Sequence, residues 1–202
     1  YGIYNSGTAT ITTLTNSGTI SADRSGIWND ATITTLTNSG NIKALTGDFG
    51  LKNVRGTIGT LTNSGTISAG DDWAIYNDSS ATITTLTNKG TISASGNDIG
   101  IFNDIDSTIT TLNNSQGASS SALSYDGKLP TNYNIIVNST SDFGKITFSN
   151  VSGTTNFAVH STSTLEGDTT YSSVISGLNS SEIASGTSGS HIVGSSRFDW
   201  TL

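Results

Sequence analysis

One pattern, Ile-x-x-Leu-x-Asn, recurs five times: Ile11/Leu14/Asn16, Ile33/Leu36/Asn38, Ile58/Leu61/Asn63, Ile83/Leu86/Asn88 and Ile109/Leu112/Asn114. The copies are 22 to 26 residues apart (11 to 33, 33 to 58, 58 to 83, 83 to 109), and the spacing inside the unit never changes. A second anchor precedes each copy: Gly2-Ile3-Tyr4-Asn5, Gly26-Ile27-Trp28-Asn29, Gly50-Leu51-Lys52-Asn53, Ala74-Ile75-Tyr76-Asn77 and Gly100-Ile101-Phe102-Asn103. A third follows: Gly18-Thr19-Ile20, Gly40-Asn41-Ile42, Gly65-Thr66-Ile67 and Gly90-Thr91-Ile92. A unit this short cannot bury its apolar face alone, so its copies have to stack.

Leucine-rich repeats share this period, but they need a denser Leu pattern and often a helical return. Here each unit has a single regular Leu, nothing follows a helical period of 3.6, and Ile alternates with Thr or Ser as on a half-buried strand. Composition agrees. Hydrophobic residues make up 33% and charged residues 11%, with 23 Gly and a single Pro, Pro130. Low apolar content combined with few charges is unlike disorder, and it suits short strands joined by tight turns. The expectation is an all-β, right-handed parallel β-helix of about five coils, each with three short strands. Residues 1–116 form the repeat region, and 117–202 form a β-rich cap that continues the solenoid. Columns of Ile and Leu then stack at about 4.8 Å.

The Asn residues form columns of their own: Asn5, Asn29, Asn53, Asn77 and Asn103, and then Asn16, Asn38, Asn63, Asn88 and Asn114. An inward amide at a corner can hydrogen-bond its counterpart in the next coil and also satisfy the turn backbone. Asn further tolerates the left-handed conformation a corner can demand. Length varies only in two connectors, between the first and second anchors and between the third and the next first.

Beyond Gln116 the repeat fades into a Ser-rich stretch to Ser124. Strands are expected at Tyr133–Asn138, Lys145–Val151, Asn156–Ser161, Thr169–Ser176 and Arg197–Leu202, with a loop at Ser185–Ser190. The runs Gly144-Lys145-Ile146-Thr147-Phe148, Phe157-Ala158-Val159-His160 and Gly167-Asp168-Thr169-Thr170-Tyr171-Ser172-Ser173-Val174-Ile175-Ser176-Gly177 resemble the end of autotransporter (type V secretion) passengers. The upstream Leu-x-Asn-x-Gly-x-Ile units look like such passengers too. The resemblance implies a β-helix secreted to the bacterial surface, with an autochaperone-like cap. It also implies an outer-membrane β-barrel of the same protein following residue 202. Adhesins, self-associating proteins, toxins and proteases all belong to that family, so it sets architecture more firmly than activity. The sequence opens in mid-repeat at Tyr1, which reads as part of a longer protein.

The net charge of −7 opposes binding to phosphate backbones, so nucleic acid is not an expected partner. There is no Cys, hence no disulfide framework or thiolate metal site. No apolar run is long enough to enter a membrane as a helix. The acidic residues collect in connectors: Asp23, Asp48, Asp71, Asp72 and Asp98 before the first anchor, and Asp30, Asp78, Asp104 and Asp106 after it. Stacking could gather them into a Ca²⁺ site or a glycosidase pair, but solvated loops that oppose edge pairing are the simpler reading. The two His residues, His160 and His191, lie near no nucleophile motif. No catalytic residue, metal or cofactor is expected.

Two outward columns remain. The residue between the inward Ile and Asn of the first anchor reads Tyr4, Trp28, Lys52, Tyr76, Phe102, four aromatics in a chain that is 7% aromatic. Such a ribbon either stabilises the stack or contacts sugars, proteins or a second copy. Phe49 and Trp73, one residue before their anchors, fit either core or loop. The other column set is threonine: Thr10/Thr12, Thr32/Thr34, Thr82/Thr84 and Thr108/Thr110, with Thr57/Gly59 in the third unit. Pairs of this kind occur on ice-binding solenoids, and high β-propensity selects them as well. The leading expectation is a non-catalytic surface adhesin or self-association module. Its ligand would be a host protein, a matrix protein, a glycan or another copy. The alternatives are a stalk and folding platform for an active region elsewhere, or a β-helix polysaccharide lyase or hydrolase.

Overall fold

Alternation along each anchor sends Ile inward, and stacking closes the chain into coils. The computed structural model describes residues 1–46, 48–95, 99–117 and 120–202. It is an all-β parallel β-solenoid of about seven turns. The first turn holds β1 (Ile3–Asn16) and β2 (Thr19–Ala22), and the second holds β3 (Ser25–Asn38) and β4 (Asn41–Ala44). The third holds β5 (Phe49–Val54), β6 (Thr57–Asn63) and β7 (Thr66–Ala69). The fourth holds β8 (Ile75–Asp78), β9 (Thr82–Asn88) and β10 (Thr91–Ala94). The fifth has β11 (Ile101–Asn103) and β12 (Thr108–Asn114), the sixth β13 (Leu123–Lys128) and β14 (Asn132–Ile135), and the seventh β15 (Ile146–Ser152) and β16 (Thr155–Val159). The short strands β17 (Ile175–Ser176) and β18 (Ile183–Ser185) extend the stack, and an antiparallel hairpin of β19 (Ser188–Val193) and β20 (Ser196–Thr201) follows.

Like residues sit on like residues. Ile27 pairs with Leu51, Leu51 with Ile75 and Ile75 with Ile101, while Leu36, Leu61, Leu86 and Leu112 form another column. All of them are fully buried, each worth roughly 1.5–3 kcal/mol relative to exposure. Ile33 and Leu36, three apart in sequence, are both inside, so simple alternation is interrupted between them. The ladder absorbs this by pairing Thr32, Ile33, Thr35 and Leu36 with the next turn and skipping Thr34. Close stacking of the third corner admits only glycine. A Cβ on Gly65 or Gly90 would lie 2.1 Å from the carbonyl oxygen of Gly40 or Gly65 respectively.

The two cap-region turns were invisible to the repeat pattern because their columns change residue type. Tyr125 stacks on Ile101 and Phe148 on Tyr125, while Tyr133 stacks on Leu112 and Phe157 on Tyr133. That raises the count from about five turns to about seven. Among the described residues, the expected three strands per coil hold in the third and fourth turns alone. In the first and second, two segments fuse into single 14-residue strands. The third sheet has four strands and stops at β10. Its open edge is closed by a side chain: the Gln116 amide accepts from Ile92 N–H (2.8 Å) and donates to Ile92 C=O (3.2 Å). One amide thus stands in for a strand residue and pairs both backbone groups of Ile92 at the sheet edge.

Two local expectations need correction. Thr169–Ser176 is strand only at Ile175–Ser176, since Asp168 and Ser173 turn the chain with positive φ. Ser185–Ser190 is not one loop, because β18 ends at Ser185 and β19 begins at Ser188. The strand at Leu123–Lys128 escaped notice because Gly127 replaces the corner Asn of its column.

Candidate functional site

The first anchor presents its outward residue between two buried ones. Ile27 and Asn29 are fully buried and Trp28 between them is half-buried; the same holds for Tyr76 and Phe102. Register places Tyr4, Trp28, Lys52, Tyr76 and Phe102 in one line, which continues as Asp126 and then Ser149. The line is not a uniform ribbon. At its amino-terminal end Tyr1 stacks on Tyr4 (5.3 Å, 17°) and meets Trp28 at 5.1 Å. Tyr1 and Tyr4, in the first turn, are 49% and 56% exposed, whereas Trp28, Tyr76 and Phe102, with a turn on either side, are half-buried.

Further along, Phe49 and Trp73 lie against the line rather than in the interior. Phe49 meets Tyr76 at 5.2 Å, and Trp73 meets Tyr76 at 4.8 Å and stacks on Phe102 at 4.5 Å. This half of the line is therefore partly roofed by its own connectors.

Lys52 divides the two halves. Its ammonium lies 4.6 Å from the Tyr76 ring, 4.7 Å from Phe49 and 4.9 Å from Trp28, and 3.1 Å from the Asp78 carboxylate. A cation over three rings replaces an aromatic in the column without breaking it, at about 1 kcal/mol or more per favourable ring when desolvated. Burial disfavours the charged Asp78, but hydrogen bonds from Ser79, Lys52 and Tyr76 outweigh it and hold its carboxyl below the ordinary value. Burial, and then Asp78 itself, push the Tyr76 phenol up. Lys52 stood out in the sequence only as the exception among aromatics, and no sequence signal tied it to Asp78.

The Asn residues do structural work on the same coils. Asn5 Nδ2 donates to Asn29 Oδ1 (2.7 Å), Asn29 to Asn53 (2.7 Å), Asn53 to Asn77 (2.9 Å) and Asn77 to Asn103 (2.8 Å). In the second column Asn16 donates to Asn38 (2.7 Å), Asn38 to Asn63 (2.8 Å), Asn63 to Asn88 (2.9 Å) and Asn88 to Asn114 (3.1 Å). The Nδ2 groups of Asn29, Asn53, Asn77, Asn38 and Asn63 also donate to a corner carbonyl, and that of Asn88 donates to Gln116 Oε1 (2.9 Å), which fixes the amide orientation. None of these Asn residues is left-handed. Positive φ falls instead on Arg55, Ser79 and Ser80, just past the corner. The side-chain amide, not backbone tolerance, is what the position uses.

Two connector carboxylates are met by cations of neighbouring coils: Arg55 bridges to Asp30 (2.9 Å) and Arg24 to Asp48 (3.3 Å). Asp98 lies outside the described residues. Among the described residues no three His, Asp or Glu side chains converge. His160 bonds Thr162, and burial lowers its pKa; His191 Nε2 lies 2.8 Å from the Ser163 carbonyl oxygen. A cavity of about 750 Å³ opens beneath the hairpin, floored by Ile135, Val137, Val159 and Leu165 and bordered by Arg197 and Trp200.

On the second face, threonines stand in register. Thr10, Thr32, Thr57, Thr82 and Thr108 form one column, and Thr13, Thr35, Thr60, Thr85 and Thr111 another. A third runs Thr15, Thr37, Thr62, Thr87 and ends at Asn113, which donates to Thr87 Oγ1 (2.9 Å). No family model matches this chain, and no curated protein or solved structure is significantly similar to it.

Proposed function

We propose that this chain is part of a bacterial autotransporter passenger, exposed at the cell surface and acting as a non-catalytic adhesin or self-association module. The observation that carries the reading is the outward line of Tyr4, Trp28, Tyr76 and Phe102, held in register along one face of a rigid solenoid. Exposed ring faces held at fixed spacing suit glycan rings, a matrix or host protein surface, or a second copy. Single contacts of this kind are weak, and repetition on a crowded cell surface multiplies them. In the same proposal, the protein's own outer-membrane β-barrel is the partner that anchors the stalk.

A second reading rests on a different observation. Phe49 and Trp73 roof the other half of the line, and Lys52 pins it internally, which favours a structural stalk and folding platform there.

One experiment separates them. The chain is tested for binding to a panel of glycans, matrix proteins and immobilised copies of itself. A Tyr4→Ser/Trp28→Ser variant and a Tyr76→Ser/Phe102→Ser variant are run beside it. The adhesive reading expects the first pair to lose binding while keeping its melting temperature. It expects the second pair to lose mainly stability. Absence of binding by the unchanged chain would leave the stalk.

A further inference from the structure

We infer that the threonine face is an ice-binding surface, a grid of hydroxyls and methyls that docks onto the ordered water of an ice crystal. This stands on residues the adhesive reading does not use.

The columns through Thr57 and Thr60 are threonine in all five turns, and from Thr10 onward each is paired in register with the next, the one shift between turns one and two lying upstream between Ser6 and Thr10. Successive turns are about 4.8 Å apart, and outward residues two apart along a strand, such as Thr35 and Thr37, about 6.7 Å. Position therefore repeats in two dimensions, as in a crystal plane. The spacing is rigid because the Asn38–Asn63–Asn88 ladder runs along one margin of the face. Side-chain ladders of this kind also keep a stacked sheet flat.

The chemistry narrows the partner. Among the described residues, no hydroxyl in the Thr57 and Thr60 columns bonds to the protein, and each can both donate and accept. No charged residue stands in the three threonine columns of a chain whose net charge is −7; Asp30, Lys52, Arg55 and Asp78 all lie on the neighbouring face and its corner. A charge would hold its own hydration shell against the lattice. No aromatic ring stands among the threonines either, so a sugar polymer would find no stacking platform. Lone Thr hydroxyls compete poorly with bulk water. They succeed together only against a partner whose donors and acceptors are themselves fixed in a lattice.

The test is nanolitre osmometry on the 202-residue chain with its Thr57→Lys and Thr84→Lys variants, both at exposed positions of this face. Ser93→Lys, exposed on β10 of the third sheet, is the control. Circular dichroism confirms that each variant keeps the solenoid. The unchanged chain is expected to facet ice and show thermal hysteresis, Ser93→Lys to match it, and either threonine variant to lose most of it. Three results would overturn the inference: no faceting beyond that of a non-binding protein at equal concentration; hysteresis unchanged in Thr57→Lys and Thr84→Lys; or binding to microcrystalline cellulose that Thr57→Lys abolishes, which would reassign the face to a polysaccharide.

Discussion

Turns one to five and turns six and seven share one backbone ladder but fill it by opposite means. In the first group, aliphatic columns carry the interior and two Asn columns seal the corners. In the second, Tyr125, Tyr133, Phe148 and Phe157 fill the interior, and Gly127 and Ile135 occupy the corners. The Asn columns end by donating to backbone, Asn103 to the Lys128 carbonyl and Asn114 to that of Lys145. The difference teaches that a solenoid coil has two independent sources of cohesion. Uniform turns draw on polar registration; the terminal turns draw on large interlocking rings, which do not require identical neighbours.

The contrast can be broken hardest at a glycine. Gly65→Ala places a methyl against the Gly40 carbonyl at a position the next turn copies, and should cost about 4 kcal/mol or more in chemical denaturation. Gly153 in the terminal turns has open space around it, so the space there tolerates a methyl and only its positive φ penalises one. Next comes Asn63→Ala, which strands Asn38 and Asn88 at once. A loss of about 3 kcal/mol is expected, from two buried amides left short of a partner.

A smaller effect follows from the Lys52–Asp78 pair. Because the folded carboxyl sits below its ordinary value of 3.8, the pair's contribution is present above that pH and is lost as pH falls through the lowered value. Lys52→Met/Asp78→Asn should flatten this acid limb, by about 1 kcal/mol between neutral pH and pH 3 in melts followed by fluorescence. The smallest expected change has the opposite sign. Thr155 is fully buried in β16 and its hydroxyl finds no partner among the described residues, so Thr155→Val should stabilise by about 0.5 kcal/mol. An equal gain from replacing a ladder Asn with an apolar residue would erase the distinction between the two regions.

What could be read from the sequence followed the same division. The parallel stack, the inward Ile and Leu and the two Asn columns were legible because identical residues recur at fixed offsets. The sixth and seventh turns were not, since replacing Ile101 by Tyr125 and Asn103 by Gly127 removes the repeat while preserving the register. The aromatic line was visible as a column. Its partial roof was not, because Phe49 and Trp73 reach it through connectors of varying length. Gln116 gave no sign that it would complete a sheet edge, because the bond it makes depends on a turn 24 residues upstream.

The amide columns have a direction as well as a spacing. Every column Asn donates toward the carboxy-terminal side, and each one after the first accepts from the amino-terminal side. The molecule is thereby a rod with aligned dipoles and distinguishable poles. A coil offered in the wrong sense meets oxygen with oxygen at one pole and N–H with N–H at the other, so only one orientation extends the stack.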